Sequence, residues 1–138
     1  MILLDTNVIS EVMQRRPEPA VLAWLDAQDA DSIWISSITL FEARFGLGAM
    51  PDGRRKFDLQ QAFEDLVAED LAYRIAAFDS AAAQSTAELA AFRKREGRPV
   101  DIRDTFIAGI ALSHGATIAT RNVRHFEDLT VPVVDPWQ

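Results

Sequence analysis

The amino-acid sequence predicts a single α/β domain with a mainly parallel sheet, on three observations. Short apolar runs alternate with stretches of helical periodicity along the whole chain, which is typical of α/β folds. The length of 138 residues suits one domain with one core, and 49% of the residues are hydrophobic. No repeat, low-complexity tract or linker divides the chain, so we expect residues 1–138 to form one domain.

The first half of the chain is expected to contain two strands and several helices. The apolar runs at 2–4 and 33–35 are short and end in polar residues, as buried strands do where they open into loops. Pro17 and Pro19 are expected to end the helix that follows the first strand. Apolar residues at helical spacing predict helices in the regions 8–13, 21–25, 38–49 and 54–71.

The second half continues the alternation. Asp79 is the expected N-cap of an Ala-rich helix that closes near Gly97. A last helix is expected from Asp101 to His114, where Gly115 stops it. Strands are predicted at 73–78, 117–120 and 131–134, which makes about five in all.

Composition and charge narrow the function classes. The formal charge of −7 argues against a protein that coats nucleic acid by bulk positive charge, but not against an enzyme that gathers carboxylates around a cation. The chain has no cysteine, which excludes disulfides, thiolate nucleophiles and Cys-ligated zinc. Neither a secretory signal nor an apolar run of roughly 18 residues, as a membrane span needs, is apparent. We therefore expect a cytoplasmic protein without membrane contact.

Three acidic residues stand next to apolar segments, where solubility does not require them. Asp5 directly follows the first strand, at the carboxyl end where open α/β sheets build ligand sites. Glu42 is flanked by apolar residues on the helix after the second strand, and Asp104 lies in the first turn of the last helix. Strand ends and helix starts converge on one edge of such a sheet, so the three side chains could meet there.

Carboxylates gathered in this way repel one another, and burying them without a partner is costly. A divalent cation removes both penalties, and ligation by oxygen atoms alone suits Mg²⁺ or Mn²⁺. Such an ion lowers the pKa of a bound water and neutralises charge that develops on a phosphodiester. Pooled acids without a Cys or His cluster therefore indicate phosphoryl chemistry rather than acyl transfer.

Each acid also has a purely structural interpretation. Asp5 could cap the helix that follows it, and Asp104 could be a first-turn acid favoured by the helix dipole. Glu42 could lie on the helix surface and pair with Arg44 or Arg54. The joint pattern is more specific than any one of its members.

Five segments carry a resemblance that spans the whole chain. They are MILLDTNVIS from Met1, ISSITLFE from Ile35, DTFIA from Asp104, IATRN from Ile118 and VDPW from Val134. In this order and at these spacings, they resemble the PIN-domain toxins of the VapC and FitB type.

The resemblance implies a PIN-like three-layer α/β/α domain with an acidic pocket at one edge of the sheet. It implies Mg²⁺- or Mn²⁺-dependent cleavage of RNA, with Asp5, Glu42 and Asp104 as catalytic metal ligands. A metal-activated water would attack the phosphorus and leave a 5′-phosphate and a 3′-hydroxyl. The residues that would support the pocket are Thr6, Asn7 and Thr120.

Asn122 departs from the pattern of many PIN domains, which place Asp there. An amide oxygen can ligate a metal or hold a metal-bound water, but it adds no charge and cannot act as a base. Asn122 could therefore be a fourth, weaker ligand, and one ion could bind where other members bind two.

Other residues near these segments have more open roles. Arg103 and Arg121 adjoin the proposed ligands in sequence and are candidate contacts of RNA phosphates. His125 lies near the proposed pocket, but the sequence gives no support for a catalytic role. Because toxins of this family commonly pair, we expect a homodimer, and its surface could include Phe57, Phe63, Leu66 and Val67.

The function that the resemblance implies is an endoribonuclease toxin of a type II toxin–antitoxin pair. Its antitoxin would be a small DNA-binding protein whose tail covers the acidic groove. One alternative is a phosphatase with Asp5 as nucleophile, although that family has a second Asp where this chain has Asn7. Another is a catalytically weak PIN fold that serves as an interaction module, with Asn122 marking lost chemistry.

Overall fold

The computed structural model describes all 138 residues. Its strands are β1 (Ile2–Leu4), β2 (Ile33–Ser36), β3 (Ile75–Ala76), β4 (Thr117–Ala119) and β5 (Val133–Val134). Its helices are α1 (Thr6–Val12), α2 (Pro19–Asp26), α3 (Ser37–Gly48), α4 (Arg54–Asp65), α5 (Ser80–Arg95) and α6 (Ile102–His114). The strands form one parallel sheet in the order β3-β2-β1-β4-β5. The predicted α/β class and the number of strands are confirmed.

The sheet separates two hydrophobic cores. Successive side chains of a strand point to opposite faces, so Leu3 and Leu4 enter different cores. Leu3 packs with buried residues of α5 and α6, among them Ile107. Leu4 packs with residues of α1, α2 and α4, among them Phe63. The three-layer α/β/α arrangement is therefore confirmed.

Two predicted boundaries are wrong for reasons of backbone chemistry. Pro19 does not end a helix but begins α2, because its fixed φ and missing N–H suit the first helical position. The strand predicted at 73–78 shrinks to the two residues of β3. Ala72 and Tyr73 have φ values of 46° and 57°, and left-handed backbone cannot continue a strand.

One edge of the sheet collects the polar chain segments. Strands β1, β2 and β4 are parallel and in register, so their carboxyl ends lie side by side. Helix α6 precedes β4 and runs back along the sheet, which brings its first turn to the same edge. None of the helices is both long and apolar enough to cross a membrane.

Candidate active site

Asp5 occupies the central position at this edge. Only 4% of its surface is exposed, and its backbone N–H donates to the carbonyl of Ala119 on β4 at 2.9 Å. One carboxylate oxygen, Oδ1, accepts from the backbone N–H of Thr6 at 2.8 Å, so Asp5 is also the N-cap of α1. The other, Oδ2, accepts from the hydroxyl of Thr120 at 2.8 Å. The capping and the site interpretations of Asp5 are thus compatible.

The three residues predicted to support the pocket all lie around Asp5. The Nδ2 group of Asn7 donates to Asp5 Oδ2 and to Thr120 Oγ1, both at 3.3 Å. The hydroxyl of Thr6 donates to Glu42 Oε1 at 2.9 Å and so joins α1 to α3. These contacts orient two carboxylates that are 37 positions apart in the sequence.

Glu42 faces this edge from α3, which Ser36 caps at the end of β2. Its second oxygen, Oε2, lies 3.5 Å from Arg103 Nη1 on α6. The alternative in which Glu42 pairs with Arg44 or Arg54 is wrong, since each of these arginines pairs with an acid of α4 instead.

Asp104 enters the site from the first turn of α6. Asp101 caps that helix by accepting from the N–H of Arg103 at 2.8 Å, so the side chain of Asp104 is free for another contact. Its Oδ2 lies 2.7 Å from Nδ1 of His125, which belongs to the 3₁₀ turn Val123–Phe126. The sequence placed His125 near the pocket but did not predict its contact with Asp104, and a role for it in catalysis is not tested by this geometry.

The electrostatics indicate that the three carboxylates share one site. Burial raises the pKa of Asp5, against the opposing hydrogen bonds from Thr120 and Thr6, and the charge of Asp104 raises it further. Burial also raises the pKa of Asp104, where Glu42 adds repulsion and His125 opposes it. Negative charge at this edge is therefore costly without a cation.

The side chains at this edge suit a divalent cation in their chemistry but are paired with other protein groups. No group of three His, Asp or Glu side chains already has the spacing of a metal site. The carboxylates are partnered by protein groups instead, Glu42 by Arg103 and Asp104 by His125. Their chemistry still fits, because three carboxylates are ligands that Mg²⁺ or Mn²⁺ accepts, and two of them carry a raised pKa that a cation would relieve.

The remaining predicted site residues flank the carboxylates. The backbone N–H of Asn122 donates to Thr120 Oγ1 at 3.0 Å, which brings this residue next to the buried pocket. Besides its contact with Glu42, Arg103 has its Nε 3.4 Å from Asp101 Oδ1. The guanidinium of Arg121 lies over the ring of Trp137, 5.1 Å from its centroid. Both arginines have protein partners, and their contact with phosphate stays a prediction.

The predicted dimer surface on the helix at 54–71 is mostly wrong. Phe63 and Val67 are fully buried in the core beneath the sheet, and Leu66 is partly buried against the same core. Phe57 is 63% exposed and remains available. Periodicity identified the apolar face of this helix but could not tell which neighbour covers it.

Comparison with known proteins places this site in a family. The PIN domain model matches residues 2–131. VapC ribonuclease Y4jK of Sinorhizobium fredii is 44% identical over all of this chain and 99% of its own length. Toxin FitB of Neisseria gonorrhoeae is 36% identical over 99% of both chains. The crystal structure of FitAcB from Neisseria gonorrhoeae superposes with a TM-score of 0.92 at 36% identity, covering 100% of this chain and 99% of that one. The chain therefore belongs to the PIN-domain family.

Proposed function

We propose that this protein is a metal-dependent endoribonuclease and the toxin of a toxin–antitoxin pair. The observation that supports the proposal is that Asp5, Glu42 and Asp104, from three separate elements, lie at the carboxyl edge of the parallel sheet, where Thr6 links Glu42 to α1 and the charge of Asp104 acts on Asp5. The similarity to proteins named VapC ribonuclease and toxin FitB supports the choice of RNA as substrate and of a toxin role.

Asp5, Glu42 and Asp104 would hold one Mg²⁺ or Mn²⁺ ion. Asn122, whose backbone N–H donates to Thr120, would offer an amide oxygen as a weaker fourth ligand. A bound ion of this kind supplies an activated water and neutralises charge on the phosphodiester. The chain's own contribution is orientation, because the bonds from Thr6 and Thr120 fix two of the carboxylates. Binding of the ion would also be favoured because its positive charge offsets the repulsion among the carboxylates.

Two cationic or protonatable groups complete the proposed site. Arg103 is half exposed and would be free to hold an RNA phosphate once Glu42 turns to a cation. His125 is half exposed, and its Nδ1 lies 2.7 Å from Asp104 Oδ2, so it would orient that carboxylate beside the substrate. Phosphate contacts from Arg121 would require it to leave the ring of Trp137.

The proposed partners follow from the family. We expect a DNA-binding antitoxin whose tail covers the acidic groove, and a homodimer of this chain. Phe41 and Phe45 stack on each other on α3 and stay exposed, and this apolar surface suits a second copy. Phe57 of α4 is also exposed. We expect the enzyme to act in the cytoplasm, where RNA is available.

The decisive experiment measures RNA cleavage by the purified protein with Mg²⁺ or Mn²⁺, with EDTA, and in site variants. Asp5→Asn, Glu42→Gln and Asp104→Asn should each lower the cleavage rate by about 10²-fold or more, since each removes a charge that holds the ion. Asp58→Asn removes an equal charge from an exposed ion pair on α4 and should leave the rate unchanged.

Other outcomes would redirect the assignment. Cleavage that persists in EDTA would contradict the metal requirement. Absence of both Mn²⁺ binding and cleavage of transfer, ribosomal and messenger RNA would favour an interaction module. Transfer of label from a phosphate ester to Asp5 would revive the phosphatase alternative.

A further inference from the structure

Arg93 is a buried cation outside the carboxylate site. It lies in the last turn of α5, with 3% of its side chain exposed, while its neighbours Lys94 and Arg95 face solvent. Burying a guanidinium is costly unless its donors are satisfied. The hydrogen-bond partners of Arg93 therefore indicate why a cation is buried at this position.

The Arg93 guanidinium donates four hydrogen bonds to three residues in two chain segments, the first turn of α6 and the segment from His125 to Asp128. Its Nε and Nη2 form a bidentate pair with the carboxylate of Asp128 at 2.9 and 2.8 Å. Its Nη1 donates to the hydroxyl of Thr105 at 3.0 Å, and Nη2 donates to the backbone carbonyl of His125 at 2.9 Å. This cation lowers the pKa of Asp128 below its usual value.

Two of these partners adjoin the contact between Asp104 and His125. Thr105 follows Asp104 in the first turn of α6, and its hydroxyl also donates to the carbonyl of Asp101 at 3.2 Å. His125 supplies the imidazole that touches Asp104. Arg93 therefore connects the backbone of the turn that carries His125 to the turn that carries Asp104, without touching either functional side chain.

A second arginine reinforces one side of this connection. Arg98 donates from Nη2 to the backbone carbonyl of Arg124, one residue before His125, and its Nη1 lies 3.3 Å from Glu127. It makes no hydrogen bond to α6. Of the two arginines, Arg93 alone joins both turns.

We infer that Arg93 is a positioning residue of the nuclease, which sets the geometry between Asp104 and His125 by holding their two turns together. The inference rests on the proposed function for its effect on catalysis. The planar fork of arginine is what the arrangement uses, since a lysine ammonium can replace the charge but cannot span Asp128, Thr105 and a backbone carbonyl at once. Groups that orient ligands in this way affect metal affinity or activity by roughly 10- to 100-fold.

The test compares Arg93→Lys and Thr105→Val with the parent chain. Thr105→Val removes one partner and leaves the charge of Arg93 paired with Asp128, so it should fold even if Arg93→Lys does not. Arg44→Lys alters an exposed ion pair on α3 and serves as the matched control. Folding is checked by circular dichroism and thermal unfolding.

Three readouts separate positioning from stability alone. The chain has two histidines, so the imidazole ¹⁵N signals of His125 can be compared with those of exposed His114 in the same spectrum. In both variants the His125 signals should move toward those of His114. Mn²⁺ affinity should fall about 10- to 100-fold, and RNA cleavage should lose kcat by a similar factor with little change in KM.

Each outcome decides a different question. Folded Arg93→Lys and Thr105→Val proteins with parental His125 signals, Mn²⁺ affinity and kcat would overturn the positioning role. Loss of thermal stability with those three readouts unchanged would assign Arg93 to the fold only. A parent chain that does not cleave RNA would defeat the proposed function, while the His125 signals would still decide whether Arg93 sets the Asp104 geometry.

Discussion

Asp5 illustrates how single residues of this site serve the fold and the chemistry at once. Its Oδ1 caps α1, and its Oδ2 is held by Thr120 at the centre of the acidic edge. The same burial that orients the carboxylate also raises its pKa, because the charged form has lost most of its water. The buried charge of Asp5 therefore destabilises the folded protein, and an uncharged residue at this position would avoid that cost.

We predict that Asp5→Asn stabilises the protein at neutral pH by about 1 kcal/mol while it lowers the cleavage rate by about 10²-fold or more. The pKa of Asp5 is raised in the folded state, so its favourable contribution is present below the ordinary carboxyl pKa and is lost as pH rises through the folded pKa. The stability difference between variant and parent should be small in acid and grow with rising pH. Urea unfolding at a series of pH values measures it, and a difference that is largest in acid would contradict the prediction.

At the scale of elements, the contact between α5 and α6 positions the first turn of α6, which carries Asp104. Gly109 lies in that contact, where an added Cβ would sit 1.7 Å from Oγ1 and 2.8 Å from Cβ of Thr86. The hydroxyl of Thr86 is buried there without a hydrogen-bond partner. The lack of a side chain at position 109 is what lets the two helices approach so closely.

We predict that Gly109→Ala destabilises the protein by about 1–3 kcal/mol, because the new methyl group overpacks the contact with α5. In the double variant with Thr86→Ala, part of that loss should be recovered, since the nearest clashing atom is gone. Thermal unfolding of the two single variants and the double variant gives the coupling. Strictly additive losses would mean that Thr86 is not the residue that Gly109 accommodates.

Some elements were accurately predictable from local patterns. Asp79 caps α5 as predicted, and α6 begins next to Asp101, where the helix was expected to start. Gly115 ends α6 with φ 62°, a conformation that glycine adopts without strain. The extent of β3 was not predictable, because the left-handed residues before it are set by how the chain leaves the π-helical turn Leu66–Asp70. Local chemistry decides where helices begin and end more firmly than how long an edge strand is.

At the scale of the whole molecule, the net charge of −7 and the exposed aromatic side chains bear on association. Phe41 and Phe45 stack one turn apart on α3, with ring centroids 5.9 Å apart, and both are mostly exposed. Contiguous exposed aromatic surface is typical of protein–protein contacts. The acidic charge makes a basic partner segment a natural complement to the groove.

We predict that the chain is a dimer in solution and that Phe45→Ser makes it a monomer, because the substitution removes an aromatic group from the proposed contact surface. Sedimentation velocity across a range of concentrations measures the change. Phe92→Ser on α5 removes another exposed ring and serves as the control. A dimer that survives Phe45→Ser would place the interface on a different face.

The sequence by itself determined the α/β class and several helix ends, because these depend on periodicity and on residue type at short range. It also predicted which three acids form the candidate site. The tertiary structure alone decided that Glu42 accepts a hydrogen bond from Thr6 and pairs with Arg103 rather than with Arg44. It also decided that His125 contacts Asp104. Contacts of that kind join residues 20 or more positions apart, and they depend on how helices pack across the sheet. Patterns of neighbouring residues in the sequence therefore cannot predict which of these distant residues come into contact.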